Sequence, residues 1–170
     1  MRNVLFAALL AAAVPTIASA QGGSFETTLG GGVTIPLGNS ADLYKTGFHG
    51  AASIGYRQLD SKAVFKLHAS FHRLEQDAFT DAHANIFAAF ARMDYDVSEM
   101  AYVIAGVGLV RNENQAVVSG VRFTNTNSDP AVTGGLGIRF GKNLFAEGRV
   151  MYGFGDVKST LVPVTLGLRF

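Results

Sequence analysis

The sequence predicts an all-β chain: an eight-stranded antiparallel up-and-down transmembrane β-barrel, preceded by a cleaved signal peptide. Three observations predict it. Apolar and polar residues alternate with period two over successive segments of roughly ten residues. Short and long connections alternate between those segments. The chain then ends on an extended strand with one unbroken apolar face, at Val162, Val164, Leu166, Leu168 and Phe170, opposite Leu161, Pro163, Thr165, Gly167 and Arg169.

At the front, Met1-Arg-Asn3 is a short basic stretch, Val4 to Val14 is apolar, and Ala18-Ser19-Ala20 is an A-x-A cleavage signal. The apolar run is too short to span a bilayer, and Pro15 interrupts it. Residues 1–20 therefore read as a secretory signal peptide, and residues 21–170 as one barrel domain of about 150 residues. No later segment has the roughly 18 consecutive apolar residues of a membrane helix; Ile86 to Ala91 comes closest, and Arg92 and Asp94 stop it. Cysteine is absent, so no disulfide framework is available. Only 16% of residues are charged and the formal net charge is +1, which gives no basic field for a nucleic-acid partner.

The strands follow in order. The first, Ser24 to Ile35, sets Phe25, Leu29, Val33 and Ile35 against Glu26, Thr28 and Thr34. The second, Thr46 to Arg57, sets Phe48, Ala52, Ile54 and Tyr56 against His49, Ser53 and Arg57. The third, Lys62 to Leu74, splits most sharply, with Phe65, Leu67, Ala69 and Phe71 opposing Lys62, Lys66, His68, Ser70 and His72. A fourth runs from about His83 to Tyr95 and a fifth from Met100 to Arg111; the facing of both stays open, because both sides of Ala101 to Val110 are apolar or Gly. In the sixth, Ala131 to Phe140, Val132, Leu136 and Ile138 oppose Thr133 and Arg139. In the seventh, Asn143 to Phe154, Leu144, Val150 and Tyr152 oppose Glu147, Arg149 and Met151. The eighth ends at Phe170.

The connections Gln58–Ser61, Asp96–Glu99 and Gly141-Lys142 are tight, whereas Pro36–Lys45, Glu75–Ala82, Asn112–Pro130 and Gly155–Ser159 are mostly longer. An even strand count with short turns at one end and long loops at the other is the pattern of a membrane barrel. The aromatics fall in two bands as well. Phe25, Tyr56, Tyr95, Tyr102, Phe140 and Phe170 lie near the short-turn end, and Phe48, Phe71, Tyr152 and Phe154 near the loop end, where rings would sit at lipid headgroups.

On these strands, on the Gly31-Gly32-Val33 to Pro36-Leu37-Gly38 exit of the first, and on the terminal Leu168-Arg169-Phe170, the mature chain resembles the small eight-stranded outer-membrane barrels of the OmpA/OmpX type. The resemblance implies the outer membrane of a Gram-negative bacterium, reached through the periplasm. It also implies lipid as the permanent partner, and periplasmic chaperones and the barrel insertion machinery during assembly. In that family the last strand is what the machinery recognises, which makes Val164, Leu166, Leu168 and Phe170 the expected insertion signal. The resemblance implies no single activity.

The expected lumen lining is polar and mixed in charge: Glu26, His49, Arg57, Lys62, Lys66, His68, Ser70, Arg92, Asp94, Arg139, Glu147, Arg149 and Arg169. Closure makes the first and last strands neighbours, so Glu26 and Arg169 can pair, and an unpaired charge in a narrow lumen is costly. The expectation is a plugged interior and a non-enzymatic structural or surface-contact role. The competing readings are a narrow channel, a lipid-modifying hydrolase and a soluble ligand-binding barrel in the periplasm. His68-x-Ser70 is similar to the His-x-Ser pair of outer-membrane lipid A deacylases, but it shares its face with Lys66, and polar lining is the better reading. His49, His72 and His83 lack a short metal-ligand spacing, and His83 is placed to point the other way. Gly30-Gly31-Gly32 is no phosphate loop, since no helix follows; it fits strand curvature. No catalytic residue, cofactor or metal is expected. The segment 112–130 contains the strand-like Gln115 to Phe123, which can extend the sheet above the membrane and contact a partner or surface glycan, though an ordinary variable loop is the simpler expectation than a dedicated site.

Overall fold

The computed structural model describes residues 22–75, 83–118, 121–155 and 159–170, with the side chains of 116–118 and 121–123 set aside. Residues 1–20, where the signal peptide is expected, lie outside the described residues. The strands are β1 (Gly23–Leu37), β2 (Gly47–Gln58), β3 (Ala63–Glu75), β4 (His83–Asp96), β5 (Ala101–Val118), β6 (Val121–Phe140), β7 (Leu144–Gly153) and β8 (Ser159–Arg169). Each pairs antiparallel with the next, and β8 returns to β1, closing the barrel. Phe170 completes the seam: its N–H donates to Thr27 O at 2.9 Å and its O accepts from Thr27 N–H at 3.0 Å.

The register gives the barrel's shape. Pairing outward from Glu26 runs through Gly55, Lys66, Arg92, Gly106, Thr133, Met151 and Leu161, and returns to β1 at Pro36, ten residues further along. Eight strands with this stagger tilt by roughly 40° from the barrel axis, within the usual range for closed barrels.

The longest strands depart from the sequence expectation. β5 and β6 do not stop at Arg111 and Ala131. They stay paired to Val118 and Val121, so residues 112–118 and 121–130 extend the sheet, as the strand-like Gln115 to Phe123 allowed, and the strands run past their expected ends. Above a bilayer both faces of such a hairpin meet water, so Asn112 to Gln115 and Thr124 to Ser128 carry no apolar alternation and leave no period-two signal.

The outer face is apolar from end to end: Leu29, Leu67, Leu109, Leu136 and Leu166 are all more than half exposed. Aromatics border it at both ends. Phe25 packs on Tyr56 at 5.3 Å near the turns; Phe71 packs on Phe87 at 4.9 Å and Tyr152 on Phe154 at 5.0 Å near the loops. Tyr56 and Phe48, eight residues apart on β2, lie roughly 20 Å apart along the axis, close to the roughly 25 Å height of an apolar lipid band. Two expected positions are corrected. Tyr102 is 3% exposed inside the barrel and does not belong to the turn-end band. Lys62 precedes β3 and is exposed at the turn, outside the lumen.

The facing of β4 and β5 is now defined. Ala84, Ile86, Ala88, Phe90, Arg92 and Asp94 point inward on β4, and Tyr102, Ile104 and Val110 on β5. Inward glycines make room for the long side chains beside them. A Cβ at Gly55 would meet Lys66, one at Gly106 would meet Arg92, one at Gly135 would meet Arg149, and one at Gly137 would meet the Tyr102 ring. Gly32 serves another need, since a Cβ there would run into the Val164 carbonyl across the β1–β8 seam. These glycines are thus required by packing space.

Candidate functional site in the barrel lumen

The lumen is built in three levels. At the turn end, Asp96 accepts from Arg57 Nη1 at 2.7 Å, and Arg139 Nη1 lies 2.7 Å from its other oxygen. Arg139 also sits over the Tyr102 ring, 4.4 Å from its centroid. Burial and the two guanidinium groups act against each other on Asp96, at the water-facing end; the guanidinium groups prevail and lower its carboxyl pKa.

Just above, one ionic chain crosses the barrel. Arg169 Nη1 lies 3.2 Å from Glu26 Oε2; Glu26 Oε1 contacts Lys66 Nζ; Lys66 Nζ lies 2.9 Å from Asp94 Oδ2. Arg92 Nη2 continues from Asp94 Oδ2 at 2.8 Å to Glu147, which Arg92 grips with both terminal nitrogens at 3.0 and 2.6 Å. Tyr102 OH donates to the same carboxylate at 2.9 Å. Lys66, Arg92, Asp94 and Glu147 are all at least 96% buried. Charges this deep persist only when paired and hydrogen-bonded, which the two-pronged Arg92–Glu147 contact provides.

The middle level is built of hydroxyls and imidazoles around the buried Arg149. Thr28 Oγ1 and Ser53 Oγ are 2.6 Å apart. Thr34 Oγ1 bridges His49 Nδ1 at 3.0 Å and His72 Nδ1 at 2.8 Å, while Thr165 and Ser70 hydroxyls take the two Nε2 atoms. The His49 and His72 rings stack at 5.1 Å. Ser70 is therefore bonded to His72, not to His68, and its hydroxyl faces the lumen, away from lipid. His83 points outward on β4, away from the other two, and among the described residues no three His, Cys, Asp or Glu side chains form a metal-binding group.

The third level was not anticipated from sequence. Leu74, Ile86, Ala88, Phe90, Val110, Ala131, Met151 and Leu161 form an apolar cluster inside the loop end. Tyr44, from the connection after β1, packs against it and donates to Asn114 Oδ1 at 3.0 Å. Ser40 ties the same connection to β8 by accepting from Thr160 N–H at 3.0 Å. A faint sequence signal existed: Leu74 and Met151 are apolar although their lower neighbours on the same face, His72 and Arg149, are polar.

A closed barrel that is greasy outside, banded by aromatics and ionic within, inverts the order of a water-soluble protein and defines an outer-membrane β-barrel. The chain belongs to the outer membrane protein beta-barrel domain family, whose sequence profile matches residues 4–170. It is accordingly a protein of the Gram-negative outer membrane. Solved structures share the fold. Ail of Yersinia pestis is similar at a TM-score of 0.63 and 14% identity, covering 88% of this chain and 99% of that one. The N-terminal barrel of Pseudomonas aeruginosa OprF follows at 0.61 and 17%, covering 88% and 98%. Neisserial surface protein A (NspA) follows at 0.58 and 18%, covering 87% and 97%. No curated protein sequence matches the chain.

Proposed function

We propose that this barrel is non-enzymatic and plugged, and that it serves envelope structure or surface contact. The observation that carries the reading is the stacking of two different seals in one narrow lumen. An ionic chain links β8, β1, β3, β4 and β7 at the turn end, and an apolar cluster under Tyr44 fills the loop end. An ion crossing would have to break the first and desolvate through the second. The protein in planar bilayers is expected to show no steady conductance above lipid alone. Sustained current that scales with salt would replace this reading with transport.

The β5–β6 hairpin supports the surface role, because Thr124 to Ser128 are exposed above the apolar band. Ail has been crystallised with the heparin analogue sucrose octasulfate. At the loop end of this chain, Lys45, Arg73 and Arg111 stand among Asp42, Glu75 and Glu113. Mixed signs favour contact through the Asn and Thr side chains of 112–130 over a purely charge-driven grip on a polyanion.

Assembly is assigned to periplasmic chaperones and the insertion machinery, with Val164, Leu166, Leu168 and Phe170 as the recognised face. All four are exposed on the outer side of β8. Phe170→Ala separates recognition from stability, since it keeps the two backbone bonds to Thr27. Barrel yield in the outer membrane should fall several-fold while the purified variant still folds into detergent. Wild-type yield in cells would remove the signal from this residue.

A further inference from the structure

The ionic chain leaves a cation over. Glu147 is already held by Arg92 and Tyr102, and its Oε2 lies 3.5 Å from Arg149 Nε, an ion contact without a hydrogen bond. Arg149 is 1% exposed, yet none of its three guanidinium nitrogens has a hydrogen-bond partner among the described residues. His68 is 6% exposed, and both of its ring nitrogens are likewise unpartnered. These two residues stand on facing walls, since β3 and β7 are diametrically opposed in an eight-strand ring. The stagger brings them to the same level, where the inward positions Gly30, Gly106 and Gly135 carry no side chain.

The charge count points the same way. The ion pairs of the interior involve six cationic side chains and four carboxylates. A buried guanidinium with no hydrogen-bond acceptor, and with only a carboxylate shared with another arginine as counter-charge, is costly in a fold. We propose that Arg149 and His68 together bind a small monovalent anion at mid-lumen, with chloride its ordinary occupant. The guanidinium N–H groups and one imidazole N–H of His68 donate to it. Size and charge set the class. An eight-strand barrel is filled by side chains, which excludes phosphate-sized guests, and Glu147 and Asp94 below would repel a divalent anion.

Bromide replaces chloride with little change in size and scatters anomalously, so it reports the site directly. Crystals of the unaltered mature barrel grown with bromide should show an anomalous peak within hydrogen-bond reach of both Arg149 and His68. In urea unfolding, replacing chloride by gluconate at constant ionic strength should lower the midpoint. Arg149→Gln should abolish that difference and His68→Phe should reduce it. Should Arg149→Gln fail to fold, the bromide map and the His68→Phe variant still decide. No bromide peak at this position, or an equal chloride dependence in Arg149→Gln or His68→Phe, would overturn the inference.

Discussion

Replacing Glu147 by Ala should cost the folded barrel about 3–5 kcal/mol, the range expected when one partner of a buried ion pair is removed. Three groups lose a partner together. Arg92 loses both contacts and keeps only Asp94, Tyr102 OH is left without a partner, and Arg149 loses its only charged neighbour among the described ion pairs. The loss should appear as a lower urea midpoint, with folded and unfolded species separated on an unboiled gel. Adding Arg92→Met to Glu147→Ala should cost much less than the sum of the single changes, because the uncompensated charge leaves with the side chain. An unchanged midpoint in the single variant would mean that water replaces the carboxylate without cost, and the lower seal would then contribute little to closing the lumen.

How much of this was legible in the sequence depends on which solvent each face meets. Outward positions could be read on six strands because lipid demands an apolar residue at every second position, as on β3 from Phe65 to Phe71. The Glu26–Arg169 contact was legible because closure forces β1 beside β8, and it is present at 3.2 Å. The Arg92–Glu147 contact was not, because β4 and β7 approach only across the lumen and their relative level depends on the full stagger. β4 and β5 stayed ambiguous for a physical reason found in the structure. Their inward faces carry Ile86, Phe90 and Val110 of the upper seal, and Ile104 nearer the turns, so apolar residues lie on both sides. The Gly-rich inner face was equally opaque, since a glycine that yields space to Tyr102 or Arg149 looks in sequence like one that bends a strand. Tyr102 was misplaced for a related reason: height along the strand was readable, but facing was not.

Lys66 and Leu67 are neighbours in sequence with opposite demands, and the second large prediction follows from that contrast. Lys66 is 4% exposed within the ionic chain, and Leu67 is 67% exposed on the outer face, between the two aromatic bands. Leu144 lies on the same outer face at the turn end and is 47% exposed. In lipid, Leu67→Arg should destabilise the barrel by about 2–4 kcal/mol, and Leu144→Arg by about 0–1 kcal/mol, because the cost of a charge falls toward the interface. In water, both changes would be ordinary surface substitutions within about 0.5 kcal/mol of neutral. The difference between the two midpoints, measured in lipid vesicles, therefore reads the depth of each position and not merely its exposure. Equal effects at both positions, or a mature chain that stays folded in plain buffer without detergent, would show that the apolar face meets something other than acyl chains. The steep difference is expected because the fold places its ion pairs where a soluble barrel would keep its core, and leaves its leucines for the membrane to cover.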